Sequence, residues 1–469
     1  MYLMNKLYNI LISFLLICAI IILVFKNEML LTIMPLSYLV AKVILLFISN
    51  VNLKFTRMVY DVFGIIRLLV IPLLIGITGD KIIDNLPLGH EYFNQAVGLI
   101  SVEYIIGAVF LYIFSKLFTN KVSVKSINYK VAGSKIFYAI FIVVVFFVFI
   151  YSEKARESVS FLIIQTHDTG RGTEDTSSMV VLIRMLLQLA LALMFVIVSY
   201  LSYKKYKNNP RIHYLFLPLI FGLINISLIV GERRSLQLYT LISVLVIITL
   251  LFKRHSKKIN VVILIVGVFV LLLMTLYKEL YIFNYSSYSA ALEASSTSNI
   301  NFVDQIQSYF YGPSNVAGAM DYLNYHQGSF SQFIFDNTRA IFGLNLFINH
   351  DHLITSQLFN QLIYGNKQLT GHLISSAGYG YIYFGPILFF LVLVFNLFLS
   401  CVFEVFLHKT KSLELIFVGT YIYMRVVASM FGHTTPIITL ISSIIIIYSI
   451  IIFASILVKK AISRGDAYE

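Results

Sequence analysis

The sequence predicts an all-α, polytopic integral membrane protein, and three observations lead there. Of 469 residues, 59% are hydrophobic and only 12% are charged, about half the charged share of a soluble globular chain. Mean hydropathy is +0.85. Apolar runs recur from Leu7 to Val458, each about as long as the roughly 20 residues that cross a hydrocarbon core. The runs are continuous and lack the period-two alternation of a membrane barrel. A soluble enzyme, a secreted disulfide scaffold and a disordered chain are excluded on the same grounds.

Twelve transmembrane helices are predicted, near 7–25, 29–48, 58–78, 95–118, 136–151, 179–202, 214–230, 235–252, 260–277, 386–407, 413–430 and 436–458. The first follows a short head carrying Lys6, as a signal peptide would. No small-residue cleavage pattern follows Phe25, so this span is expected to be retained. With a cytoplasmic N-terminus, the inner segments are the two tails and the loops near 54, 125, 207, 255 and 410. They hold most of the lysines and arginines, including Lys204-Lys205-Tyr206-Lys207 and Lys253-Arg254-His255-Ser256-Lys257-Lys258. That bias follows the positive-inside rule and predicts both termini in the cytoplasm. The net charge of +13 is therefore topological, and no nucleic-acid partner is expected. Tryptophan is absent, so Tyr112, Tyr138, Tyr151, Tyr200 and Tyr239, near span ends, supply the interfacial aromatic belt. Cys18 and Cys401 both lie within spans, and their spacing gives neither a structural disulfide nor a metal site.

Three segments follow: residues 1–277 with the first nine spans, an extracytoplasmic loop over 278–385, and residues 386–469 with the last three spans and a cytoplasmic tail. A loop of that length is functional or disordered more often than a bare connector, and its tyrosines and phenylalanines argue against disorder. Stretches 302–311, 314–326, 331–348 and 352–364 carry apolar residues at helical spacing. They are expected to be short amphipathic helices on, or dipping into, the outer membrane interface. A second outer loop, 152–178, is polar and mixed in charge, and reads either as a cap or as a solvated connector.

Charge beside a hydrocarbon core asks for a partner or a purpose. Gly231-Glu232-Arg233-Arg234-Ser235 lies at the outward junction of the seventh and eighth spans. Two adjacent guanidiniums there form a receptor for phosphate or pyrophosphate, which arginine grips with its planar fork. The other reading is an interfacial turn whose arginines reach lipid headgroups. Arg67, Arg184 and Arg425 lie within spans; they either line an electropositive cavity for an anionic lipid carrier or enter a structural pair, such as one with Glu103. Lys42 is expected to snorkel. In the large loop, His350, His352 and His372 place titratable groups where a sugar could meet them, as general bases or as plain surface residues. Asp336 and Arg339, three apart, read as a simple helical ion pair. His350 and His352 face apart on a helix and show no third ligand, so no metal is expected. No phosphate-binding glycine loop, dinucleotide fingerprint, serine elbow or zinc-peptidase motif is present, and no cofactor is expected. The first outer loop is about three residues long, too short for an acidic metal-binding pair.

At this point the chain resembles the Wzy-type polymerases that join oligosaccharide repeat units of O antigens and capsules. The resemblance rests on the span pattern, the large loop before the tenth span, the glycine- and arginine-containing turn at 231–235, and Tyr381-Ile382-Tyr383-Phe384-Gly385, which is similar to their tyrosine–x–x–phenylalanine–glycine entry to the next span. Many members carry an acidic residue two positions before that tyrosine, where Tyr379 stands here. The resemblance implies a membrane glycosyltransferase of the bacterial cytoplasmic membrane, serving O-antigen (lipopolysaccharide) or capsule biosynthesis. Its substrate would be an undecaprenyl-pyrophosphate-linked oligosaccharide in the membrane lipid, its partners a flippase and a Wzz-type chain-length regulator. Arg233 or Arg234 would stabilise the leaving pyrophosphate with Arg184 or Arg339 assisting, and Glu232, His352 or His372 would serve as base. Arg67, Arg425, His350 and Tyr381 would bind substrate. A ligase of related fold and a lipid-linked oligosaccharide flippase are the alternatives; the large loop argues against the flippase.

Overall fold

The structure is a computed structural model and describes residues 2–48, 53–81, 89–118, 129–157, 159–161, 178–230, 234–255, 261, 265, 302–348, 352–364 and 374–465. In chain order the elements are α1 (Tyr2–Phe25), α2 (Ile33–Leu46), α3 (Lys54–Ile65), α4 (Ile71–Thr78), α5 (Phe93–Leu117), α6 (Lys135–Tyr151), the short α7 (Glu153–Glu157), β1 (Val159–Phe161), α8 (Ser178–Asn208), α9 (Phe216–Ser227), β2 (Leu228–Val230) and α10 (Arg234–Leu251). Then come α11 (Phe302–Tyr309), α12 (Pro313–Asp321), α13 (Phe330–Arg339), α14 (Thr355–Tyr364), α15 (Ser376–Leu388), α16 (Leu391–Lys409), α17 (Leu413–Ala428) and α18 (Thr435–Gly465).

Among the described residues six helices are long and apolar enough to cross a membrane: Met29–Leu46, Lys54–Thr78, Phe93–Leu117, Met179–Asn208, Leu391–Lys409 and Thr435–Ile462. Shorter apolar helices cover Leu11–Phe25, Lys135–Tyr151, Ile212–Ser227 and Gln237–Leu251. The chain is a helical membrane protein. The ninth expected span, 260–277, lies outside the described residues apart from 261 and 265. One expectation fails locally: the seventh span does not stay helical to residue 230, because α9 ends at Ser227 and Leu228–Val230 pairs antiparallel with Val159–Phe161.

Residues cluster into two compact units, each assembled from separated stretches. The first takes Met1–Val122, Asn301–His408 and Arg425–Leu440. Here α2 lies along α5. Met34, Tyr38, Ala41 and Leu45 recur at heptad-like spacing on the buried face of α2 and meet a face of α5 that includes Val97, Tyr104 and Ala108. Small residues on such faces let backbones approach where no hydrophobic drive separates helix from lipid. Glu404 of α16 caps α3, accepting from the amides of Phe55 (2.8 Å) and Thr56 (2.9 Å). A carboxylate at a helix N-terminus satisfies orphan donors and complements the dipole.

The four stretches expected as loop helices are α11 to α14, and they belong to this unit. One of them is packed within the protein. Pro313 to Met320 of α12 are buried, and α12 packs on α5 and α15. Its sequence explains why: proline opens the helix, and Ser314, Ala317, Gly318 and Ala319 are small enough for close packing. A Cβ on Gly378 of α15 would lie 2.5 Å from Ala319 Cβ. Gly385, at φ +67°, and the following Pro386 break α15 before α16 begins.

The second unit takes Ser123–Ile300, Lys409–Met424 and Ile441–Glu469. Helix α8 packs on α6 and α9, and α9 on α10. Glu414 ties the stretch before α6 in place, accepting from Ala132 N (2.8 Å), Gly133 N (3.2 Å), Ser412 Oγ (2.7 Å) and Tyr138 Oη (3.3 Å).

Candidate functional site

In the first unit two polar clusters stand in apolar surroundings. Between α3 and α4 the chain widens into a π-turn, Ile66–Val70, that carries Arg67. Single π-turns of this kind occur often at functional sites. Arg67 is fully buried; it donates to Glu103 Oε2 (3.1 Å) and to the Tyr311 carbonyl (3.0 Å), and stacks 4.3 Å from the Phe431 centroid. Ser376 donates to the other oxygen of Glu103. The pair with Glu103 expected as one reading of these arginines is present at Arg67, whose guanidinium also donates to a carbonyl. Tyr311 holds a positive φ of 55°, so this arginine secures the turn that leads from α11 into α12.

The second cluster centres on Asp336 of α13, 1% exposed. Its carboxylate accepts from Tyr383 Oη (2.8 Å), Tyr379 Oη (3.1 Å), Gln332 Nε2 (2.9 Å) and Thr355 N (3.2 Å). Tyr383 also meets the Thr355 hydroxyl. Burial pushes the Asp336 carboxyl above the usual carboxylate range, with the Tyr383 and Thr355 hydrogen bonds pulling back against it. The simple ion pair expected of Asp336 and Arg339 is replaced by this cage of neutral donors. Arg339 donates to the His352 carbonyl and lies over the Phe335 ring, and burial lowers its pKa while Asp336 raises it.

Beside the cage, Thr434 Oγ1 donates to Asn337 Oδ1 (2.6 Å), and the fully buried His433 packs its ring 5.4 Å from that of Tyr379. Burial drives the His433 pKa down to about 4; the Ile374 carbonyl pulls it upward and the Arg425 charge lowers it further. Arg425 is largely buried and its Nε has no partner among the described residues. His352 is exposed, and Tyr381 is half-buried in α15. Lys42 does not simply snorkel, since it pairs with Asp61, which also accepts from Tyr38 Oη (2.9 Å).

In the second unit, β2 ends at Val230, directly before Gly231 in the sequence. Val159↔Val230 pairing ties that strand to the start of the 152–178 loop, and Gln237 Nε2 reaches back from α10 to the Leu228 carbonyl (3.0 Å). Gly231, Glu232 and Arg233 lie outside the described residues. Arg234 opens α10, and its side chain is likewise outside them, as are His350 and His372. A cavity of about 20 Å³ in the same unit is lined by Gln188, Asn225, Leu228, Thr240, Tyr421 and Tyr448, among others. That volume holds about one water and no sugar ring. Asn225 Nδ2, Gln237 Oε1 and Arg184 Nε are buried without a hydrogen-bond partner among the described residues. Arg184, half-buried on α8, lies one turn before Gln188.

The sequence shows Asp336 only as the helical partner of Arg339, and marks neither Tyr379, Thr355 nor His433 as its neighbours. A signal for Asp336 was present at Tyr379, which stands where the resembled motif often has an acid and so invites a search for an acid elsewhere. The chain matches no protein-family model, no curated protein and no solved structure.

Proposed function

We propose that this protein is a Wzy-type polysaccharide polymerase, a membrane glycosyltransferase of twelve spans in the bacterial cytoplasmic membrane. It would take undecaprenyl-pyrophosphate-linked oligosaccharides at the outer face, with both termini cytoplasmic and residues 278–385 outside. The observation that carries the reading is the Asp336 cage. Tyr379 occupies the position where the resembled family often has an acid, and its phenol is hydrogen-bonded to a buried carboxylate from the loop. An acid is thus supplied in space to the motif that lacks it in sequence.

In the reaction an acceptor hydroxyl attacks the anomeric carbon of the donor glycan. The new C–O bond forms as the bond to pyrophosphate breaks, the leaving undecaprenyl pyrophosphate takes the electron pair, and the acceptor proton passes to a base. Arg233 and Arg234 stabilise the departing charge, as preorganised cations do in a water-poor site. Within the first unit the Tyr383 phenol donates to Asp336, so the acceptor proton passes to the phenol oxygen as the phenol's own proton moves to the Asp336 carboxylate, the terminal base. No cofactor or metal is required for this chemistry.

A strain deleted for this chain, complemented with wild type, Arg233→Ala, Arg234→Ala or Asp336→Asn at matched membrane levels, tests the reading through the size distribution of its surface glycan. The reading expects single repeat units in the deletion, a full ladder with wild type and a shortened or absent ladder with each variant. Loss of all surface glycan with lipid-linked units trapped inside indicates a flippase. Full-length chains stranded on the carrier indicate a ligase. An unchanged ladder in the deletion removes the proposal.

A further inference from the structure

Positive charge converges at one end of the second unit. Lys135 opens α6 and holds its Nζ 5.2 Å from the centroid of Tyr200; Lys204, one turn beyond Tyr200 on α8, holds its Nζ 5.3 Å from the same ring. Lys459 of α18 donates to the carbonyls of Val131 (3.3 Å) and Ala132 (2.9 Å), just ahead of α6, and both Lys204 and Lys459 lie near enough to act electrostatically on Lys135. Two more lysines are drawn in by backbone pairing, since Lys130 N donates to the Lys411 carbonyl (3.1 Å) and Leu413 N to the Lys130 carbonyl (3.0 Å). Among the described residues, the nearby carboxylate of Glu414 does not answer this charge. Glu414 is buried, and its oxygens accept from backbone amides and hydroxyls.

Like charges brought together at one ring are costly unless an anion joins them. We propose that this basic end is a binding site for the phosphate headgroup of an anionic phospholipid. The apolar surroundings select a lipid over an acidic protein segment. Ile136 and Ile140 on α6, Leu201 on α8, and Leu457 and Ile462 on α18 are exposed within about a turn of the lysines. On a membrane protein those side chains face acyl chains, so a ligand here needs a charged head beside an apolar tail. Tyr200 supplies the amphipathic ring that sits at headgroup depth, and basic pockets between spans bind anionic headgroups.

The test is lipid binding by native mass spectrometry, using the purified full-length protein with added phosphatidylglycerol or phosphatidylcholine. Each lysine near an anionic surface is worth roughly fivefold in affinity. Lys135→Gln/Lys204→Gln is therefore expected to weaken phosphatidylglycerol binding on the order of 25-fold. The Lys135→Arg/Lys204→Arg pair should retain binding, and Lys26→Gln/Lys54→Gln, with the same loss of charge elsewhere, should leave it unchanged. Equal weakening in the two glutamine pairs overturns the site in favour of diffuse attraction. Phosphatidylcholine binding as tightly as phosphatidylglycerol overturns it as well. Displacement of phosphatidylglycerol by equimolar inorganic phosphate would make the ligand a soluble anion and overturn the lipid assignment.

Discussion

Arg67 and Glu103 show how this sequence handles charge inside an apolar bundle: both ions are buried, and each finds its counter-ion and a further hydrogen-bond partner. Removing one member leaves the other charge uncompensated, typically at a cost of about 3–5 kcal/mol. Glu103→Ala should lower the unfolding midpoint of the purified protein sharply, and Arg67→Met/Glu103→Gln, which removes both charges, should cost clearly less. His433 gives a prediction in pH. Its pKa is about 4 in the folded chain against an ordinary 6.5, so the unfolded chain binds its proton first. Its contribution is fully present above pH 6.5 and is lost as pH falls toward 4, on the order of 3 kcal/mol in all. Unfolding midpoints measured across that window should drop for wild type and flatten for His433→Gln. The sequence offered both outcomes for Arg67 without choosing, because a counter-ion on another helix has no fixed spacing along the chain. The surroundings of Asp336 are illegible in the sequence for the same reason: its partners Thr355, Tyr379 and Tyr383 come from other elements.

Helices were the most legible level. Continuous apolar runs mark α2, α5, α8, α16 and α18 because the hydrocarbon core dictates both their length and their composition. The strand β2 escaped notice since Leu228-Ile229-Val230 is as apolar as the helix before it, and only its pairing with β1 separates the two. The spacing of α12 marks it as a helix, and its run of small residues accounts for its burial. Glycines give two contrasting predictions here. A Cβ at Gly380 of α15 would lie 1.8 Å from the Phe389 carbonyl oxygen, so Gly380→Ala should destabilise by about 1–3 kcal/mol through overpacking. At Gly98 of α5 a Cβ meets nothing within 4 Å. Gly98→Ala should be neutral or stabilising by about 0.5–1 kcal/mol, the ordinary helix preference for alanine. Thermal unfolding of the two variants in one detergent distinguishes these cases.

For the whole molecule the sequence suggested three successive segments. By contacts the residues cluster into two units built from interleaved stretches, and the 301–408 region joins the first 122 residues in one of them. Long-range pairing of this kind leaves no mark in local composition. On the proposed function this packing matters, because the 301–408 stretch rests on α5 through α12 and bears the Asp336 cage on its own helices. A catalytic loop anchored in this way would hold its groups on rigid elements, as a preorganised site requires. Asp336→Asn should therefore reduce polymer yield more than it alters protein level, with a shifted pH profile for the residual activity. A purely structural role would lower protein level and activity together.

The most direct test of the central claim is reconstitution. The purified chain in liposomes would receive undecaprenyl-pyrophosphate-linked repeat units and a chelator, and the products would be resolved by length. A ladder of joined units with release of free undecaprenyl pyrophosphate, diminished by Arg233→Ala and Arg234→Ala, is the predicted result. Repeat units that remain single on their carrier, under conditions where a known polymerase elongates the same substrate, would contradict it.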